Sequence, residues 1–239
     1  MADLPRAAPP APSRPIRRRA FALLAGVLAV VALVACNPDP TDGRRPPAPG
    51  RGPGYSSSVR AATQDDVALS WRPGCPVHWH DLSVLSVAHW GYDGARHVGH
   101  VVVHDSRATA IRSVFGSLYA ARFQVRRIHP VDRYGADDDR SMAANNTSAF
   151  NCRPVAGTSS WSEHSYGRAI DINPVQNPYV KGSSVDPPAG RDWTNRGSVV
   201  PGMIVDGDAV VRAFAQQGWR WGGYWQSSKD YQHFSTTGR

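Results

Sequence analysis

The chain has 239 residues, room for one domain with a substantial core once a leader is set aside. Its formal charge of +8 is concentrated at the start: eight of the 27 Lys and Arg precede Ser56, against three of the 19 Asp and Glu, and the remainder carries only +3. A nucleic-acid footprint needs clustered basic charge on the domain itself, and no long Lys/Arg run is present there.

Residues 1–35 read as an export signal. Arg14 to Arg19 form a basic stretch, and Ala20 to Ala35 form an apolar run shorter than the ~20 residues a comfortable membrane span needs. Arg18-Arg19-Ala20-Phe21 resembles a twin-arginine signal, which leaves the export route open. The run ends in Leu33-Val34-Ala35-Cys36, which resembles a bacterial lipobox. Lipid on Cys36 would place the protein at the outer face of the bacterial cytoplasmic membrane. A plain cleaved signal, with secretion, and a short anchor helix are the alternatives. Residues 36–60 are rich in Pro, Gly, Arg and Ser, a composition that buries too little apolar surface to order itself, and are expected to form a disordered tether. Three Cys in an exported protein leave one over; if Cys36 carries lipid, Cys75 and Cys152 are free to pair, the alternative being two buried thiols.

The folded domain is expected over 61–239. Leu82 to Val87 and His100 to Val103 read as strands from their β-branched or alternating character. Asp105 or Ser106 can cap a helix in which Ile111, Val114, Phe115 and Leu118 recur at helical spacing. Phe123 to Ile128 returns as a strand. Asp206 or Asp208 opens a second helix with Val210, Val211 and Phe214 on one face and Gly218 at its end. Gly182 to Arg196 reads as a surface loop. The sum is an α+β domain, helices packed on a mostly antiparallel sheet, and a monomer.

The chemistry is concentrated in Ser162-Glu163-His164-Ser165-Tyr166-Gly167-Arg168-Ala169-Ile170-Asp171 and, near the C-terminus, Asp230-Tyr231-Gln232-His233. Two imidazoles and a carboxylate with an open fourth position make a catalytic rather than a structural zinc site, and three scattered Cys cannot build a thiolate cage. Gly167 lets the chain turn so that His164 and Asp171 converge from adjacent segments. Asp171 shares a strand face with Ala169 while Ile170 and Ile172 face the core; a salt bridge to Arg168 is its bland alternative. Glu163, the only glutamate, is a rival base, but on an extended segment it would point away from His164. The remaining histidines lack acidic or Cys partners in register. Trp219, Trp221, Tyr224 and Trp225 read as core and cleft wall.

The pattern S-x-H-x-x-G-x-A-x-D followed by D-x-x-H resembles the M15 family of zinc peptidases, as do Asn145 to Arg153, Asp171-Ile172-Asn173-Pro174 and Trp221-Gly222-Gly223. The resemblance implies a Hedgehog/D,D-peptidase-like fold and Zn2+ held by His164, Asp171 and His233. It implies that Asp230 acts as the base, taking a proton from the attacking water, and that Arg153 binds the substrate carboxylate. The substrates it implies are peptidoglycan peptides, cut as a D-alanyl-D-alanine carboxypeptidase or an L-alanyl-D-glutamate endopeptidase. A catalytically inactive cell-wall or metal-binding module is the alternative from a different class.

Overall fold

The computed structural model describes residues 54–239. The signal, Cys36 and the tether up to residue 53 lie outside the described residues. In chain order the elements are β1 (Ser57–Ala61), β2 (Leu82–Trp90), β3 (Arg96–His104), α1 (Ala108–Ala120), α2 (Asp138–Ala143), β4 (Ala169–Asp171), β5 (Tyr179–Lys181), β6 (Ser184–Asp186), α3 (Ala209–Gln216), β7 (Arg220–Trp221), β8 (Lys229–Asp230) and β9 (His233–Ser235). They form three small sheets ordered β1-β2-β3, β4-β9-β7 and β6-β5-β8, every strand pair antiparallel. This is the α+β architecture expected from the element pattern.

The first sheet separates two apolar clusters because strand side chains alternate. Leu85, Val87, Val101 and Val103 face the main core with α1 and α3, while Leu82, Val84 and Val102 face a smaller cluster with Phe150 and Cys152. Cys75 and Cys152 are bonded on that second side, closing a loop with a sequence separation of 77. Ordered chain begins sooner than its composition suggests: strand β1 takes in Ser57 to Arg60, expected in the tether, together with Ala61, paired from Ser57↔Val87 to Ala61↔Ser83. Most of its side chains are exposed, so main-chain bonding holds it and no apolar pattern marks it.

Helix α1 buries Ile111, Val114, Phe115 and Leu118, as their spacing predicts. Its start differs from expectation. Asp105, Ser106 and Arg107 form a preceding 3-10 turn, whose cap is His104 Nδ1 accepting from the Ser106 N–H, and α1 then begins at Ala108 with no cap from the Arg107 side chain. Phe123 to Ile128 is not a strand. It makes single bridges near its two ends, Gln124 to Trp90 and Ile128 to Thr147, rather than a continuous ladder, because it crosses from one partner to another. Asp208, rather than Asp206, caps α3, accepting from the Val210 and Val211 N–H groups at 2.9 Å each. Phe214 of α3 stacks on Phe234 of β9 with centroids 4.0 Å apart, fixing the strand that carries His233. The stretch from Gly182 to Arg196, expected as a loop, includes β6 and a 3-10 turn.

Candidate metal centre

Strands β4 and β9 pair with Asp171 opposite His233 and Ile170 opposite Phe234. Directly opposite residues share a face, so the apolar pair enters the core and the polar pair faces the cleft. His164 arrives from a separate 3-10 turn, Glu163–Tyr166, capped by Ser162 and ended by Gly167 at φ +62°. A Cβ at Gly167 would lie 2.4 Å from the backbone nitrogen of His104, which donates to the Gly167 carbonyl at 2.9 Å. Only glycine lets the turn press this closely on the end of β3.

The three side chains converge. His164 Nε2 lies 3.2 Å from Asp171 Oδ2, His233 Nδ1 lies 3.0 Å from Asp171 Oδ1, and the two ring nitrogens are 3.3 Å apart. All three residues are buried. Each imidazole donates its outer N–H to a main-chain oxygen: His164 Nδ1 to that of Ala149 at 2.6 Å and His233 Nε2 to that of Arg239 at 2.7 Å. Those bonds turn His164 Nε2 and His233 Nδ1 inward, the arrangement that orients metal-binding imidazoles; without an ion His233 Nδ1 donates to Asp171 Oδ1, a proton that a metal would displace. Two nitrogens and one carboxylate oxygen, all within 4.8 Å of one another, fit a zinc-type ion with an open coordination position. Among the described residues no other His, Cys, Asp or Glu group meets that geometry.

Electrostatics follow from packing. Burial opposes a charge on Asp171, yet His164 and His233 hold its carboxyl well below the usual carboxylate range. Burial likewise opposes a charge on His233, but the bond to Asp171 raises it to about 9. Asp230, on β8, lines the same cleft; burial pushes it up to about 7, His233 working against the shift and Asp171 with it. Its Oδ1 is shielded from solvent and has no hydrogen-bond partner. Gly222 makes that packing possible, since a Cβ there would meet the Asp230 carbonyl oxygen at 2.7 Å.

Arg153 also lines the cleft, its backbone N–H donating to Ser165 Oγ at 2.9 Å and its guanidinium paired with Asp138 at 2.5 Å. That partner was invisible in the motif, because α2 lies upstream of every recognised site residue. The premise about Glu163 needs correction. Its segment is a 3-10 turn rather than extended, and the side chain reaches the cleft, but Arg168 occupies it at 2.8 Å. Arg168 is thereby engaged with Glu163 and leaves Asp171 to the two imidazoles. Ser162 serves as the turn's cap, and Tyr166 lies under the Arg168 guanidinium. The other histidines have local roles, such as His97 with Asp93 and His100 with Ser86. Trp219 and Trp221 are core, and Trp225 is cleft wall.

Fold and site together define a domain with a mononuclear metal-type donor set and a neighbouring carboxylate in a cleft of about 450 Å3. Residues 156–236 match the model of a peptidase family described as D-alanyl-D-alanine carboxypeptidase, a match that supports a relationship to the M15 peptidases. The matched segment contains His164, Asp171, Asp230 and His233, whereas Arg153 lies just upstream of it. No curated protein and no solved structure matches the chain.

Proposed function

We propose that the chain is a zinc-dependent peptidase of the M15 type, with the Hedgehog/D,D-peptidase-like fold, that hydrolyses peptidoglycan stem peptides as a D-alanyl-D-alanine carboxypeptidase. The observation that carries this reading is the buried His164–Asp171–His233 donor set, with Asp230 in the same cleft, inside the segment that matches the family model. His164 Nε2, one Asp171 oxygen and His233 Nδ1 would hold the ion. When bound, zinc supplies Lewis acidity toward the scissile carbonyl and a lowered pKa for water.

The chain's own residues do the rest. Asp230, with a carboxyl near neutrality and a partnerless oxygen, accepts the proton of the attacking water and returns it to the leaving amine. The planar guanidinium of Arg153 recognises the substrate's terminal carboxylate, held in place by Asp138 and by the backbone bond to Ser165. Ala149 and Arg239 hold the two imidazoles in their working tautomers through their main-chain oxygens. Export and anchoring through lipid on Cys36 belong to the same proposal, since they place the protein beside the cell wall.

Purified muropeptides incubated with zinc-loaded protein should lose one terminal D-alanine, read by product mass, and His164→Ala should lose both zinc and turnover. Release at the L-alanyl-D-glutamate bond instead would move the activity to the endopeptidase. No product of either kind, with zinc bound, would indicate a binding module.

A further inference from the structure

Strand β5 holds Tyr179 between two partners, Asp186 on β6 and Asp230 on β8. Directly opposite residues share a sheet face with Cβ atoms ~5 Å apart, so the Tyr179 ring stands beside the Asp230 carboxyl. Both side chains line the cleft that holds His164, Asp171 and His233. Side chains stand roughly perpendicular to their sheet, so the phenol, a whole ring longer than the carboxylate, reaches farther out over the cleft.

The backbone beneath this side chain is fixed, while its tip is unengaged. β5 is paired along both edges, and the Pro178 carbonyl accepts from the Tyr231 N–H at 3.3 Å. Asn177 is fully buried; its amide donates to the Ile172 and Gly202 carbonyls and its oxygen accepts from the Ile204 N–H at 2.7 Å. The half-buried Tyr179 side chain, by contrast, makes no hydrogen bond and no ring contact among the described residues. Trp225, on the same cleft wall, differs: its Nε1 donates to the Gly238 carbonyl at 2.9 Å. A free donor on a rigid strand is already oriented when a reaction begins, which is what makes such donors effective in catalysis.

The reaction assigned above leaves one developing charge without a donor from the chain. Asp230 takes the proton and Arg153 the terminal carboxylate, yet negative charge also gathers on the scissile carbonyl oxygen. We propose that the Tyr179 hydroxyl donates a hydrogen bond to that oxygen as the tetrahedral intermediate forms, which makes Tyr179 a catalytic residue. The proposal rests on the peptidase reading and adds a group to that site. A phenol suits the task because it donates one O–H without a charge that would bind the neighbouring Asp230 carboxylate. No covalent bond to Tyr179 is made or broken, and its proton stays on its own oxygen throughout.

Tyr179→Phe removes the hydroxyl and keeps the ring. Its melt should match that of the unsubstituted protein, because the hydroxyl has no partner to lose. With zinc-loaded protein and an N-acetylated peptide ending in D-Ala-D-Ala, kcat should fall about 10²–10³-fold, the worth of one oxyanion donor, and KM should stay within a few-fold. Calorimetric affinity for the matching phosphinate peptide, whose tetrahedral group mimics the intermediate, is a readout free of turnover. That affinity should fall on the order of 100-fold, while affinity for the peptide itself, compared on an Asp230→Asn background, should not change. An unchanged kcat, equal phosphinate affinities, or an equal loss for peptide and phosphinate overturns the assignment. A lowered melt overturns it too, by marking the hydroxyl as structural. Turnover by the unsubstituted protein separates the two readings. Phosphinate binding that depends on Tyr179, without cleavage, strikes the peptidase reading and upholds the donor. Normal cleavage with equal phosphinate affinities strikes the donor alone, and neither cleavage nor phosphinate binding strikes both.

Discussion

Gly167→Ala adds one methyl group at the joint between the metal centre and the first sheet. The new Cβ would lie 2.4 Å from His104 N, 3.1 Å from Val103 C and 3.2 Å from His104 Cα, all backbone atoms that no rotamer change can move. A left-handed conformation costs a non-glycine residue about 1–2 kcal/mol. Overpacking adds about 1–3 kcal/mol, and a lost His104 N–H to Gly167 carbonyl bond roughly 1 kcal/mol more. The total is about 3–6 kcal/mol. For a domain of this size each kcal/mol moves Tm by ~2–4 °C, so the zinc-free protein should melt on the order of 10–20 °C lower. Gly182→Ala is the matched control: φ is +58° there, but nothing lies within 4 Å of its Cβ, leaving only the conformational cost and a shift of a few degrees. Circular dichroism melts of both variants, with zinc affinity by chelator competition, make the comparison. A Gly167→Ala melt no lower than that of Gly182→Ala would refute the close-approach argument. Unchanged zinc affinity would show that the His164 turn does not depend on it.

Asp230→Asn should keep zinc and lower kcat about 10²–10⁴-fold, the usual worth of a general acid–base group, while Glu163→Gln, bound to Arg168, should leave kcat within a few-fold; the reverse pattern in steady-state kinetics would make Glu163 the base. His233 is held protonated up to about 9 in the zinc-free fold, against about 6.5 in an unfolded chain. Its contribution to stability is therefore complete below pH 6.5 and lost as pH rises through 9, so the zinc-free protein should melt lower at pH 9.5 than at pH 7. Zinc loading at pH 7 should accordingly release about one proton, seen as a buffer-dependent heat in calorimetry; a heat independent of the buffer contradicts it. Reducing Cys75–Cys152 should cost up to about 4–5 kcal/mol in the chain-entropy view, and an unchanged melt in reductant would dismiss the bond as a stabiliser.

The elements legible from sequence were those with a strong local period. β2 and β3 contain β-branched runs, α1 repeats its apolar residues at helical spacing, and α3 follows two candidate caps, of which Asp208 is the one used. Convergence of His164, Asp171 and His233 was legible only through the paired motif, because nothing local brings residue 233 to residue 171. What escaped was set by distant partners. β1 has no apolar rhythm and exists because β2 has a free edge. Phe123 to Ile128 has strand-like residues but no single neighbour to pair with along its length. Asp138, Asp139 and Asp186 are ordinary surface-type acids in sequence; only α2 and a three-residue strand place them in the cleft.

The pairing of β4 with β9 has a consequence for how the protein comes into being. Two of the five residues assigned to the reaction, Asp230 and His233, lie some sixty residues after His164 and Asp171. Chains are synthesised from the N-terminus, and contacts between distant positions form late. The growing polypeptide therefore holds one imidazole and one carboxylate without their partners until β9 has emerged and docked. A nascent or truncated chain has no complete donor set with which to take up an ion, and so no hydrolytic capability. The donor set is completed when β9 closes onto β4, which ties uptake of an ion to the docking of that strand.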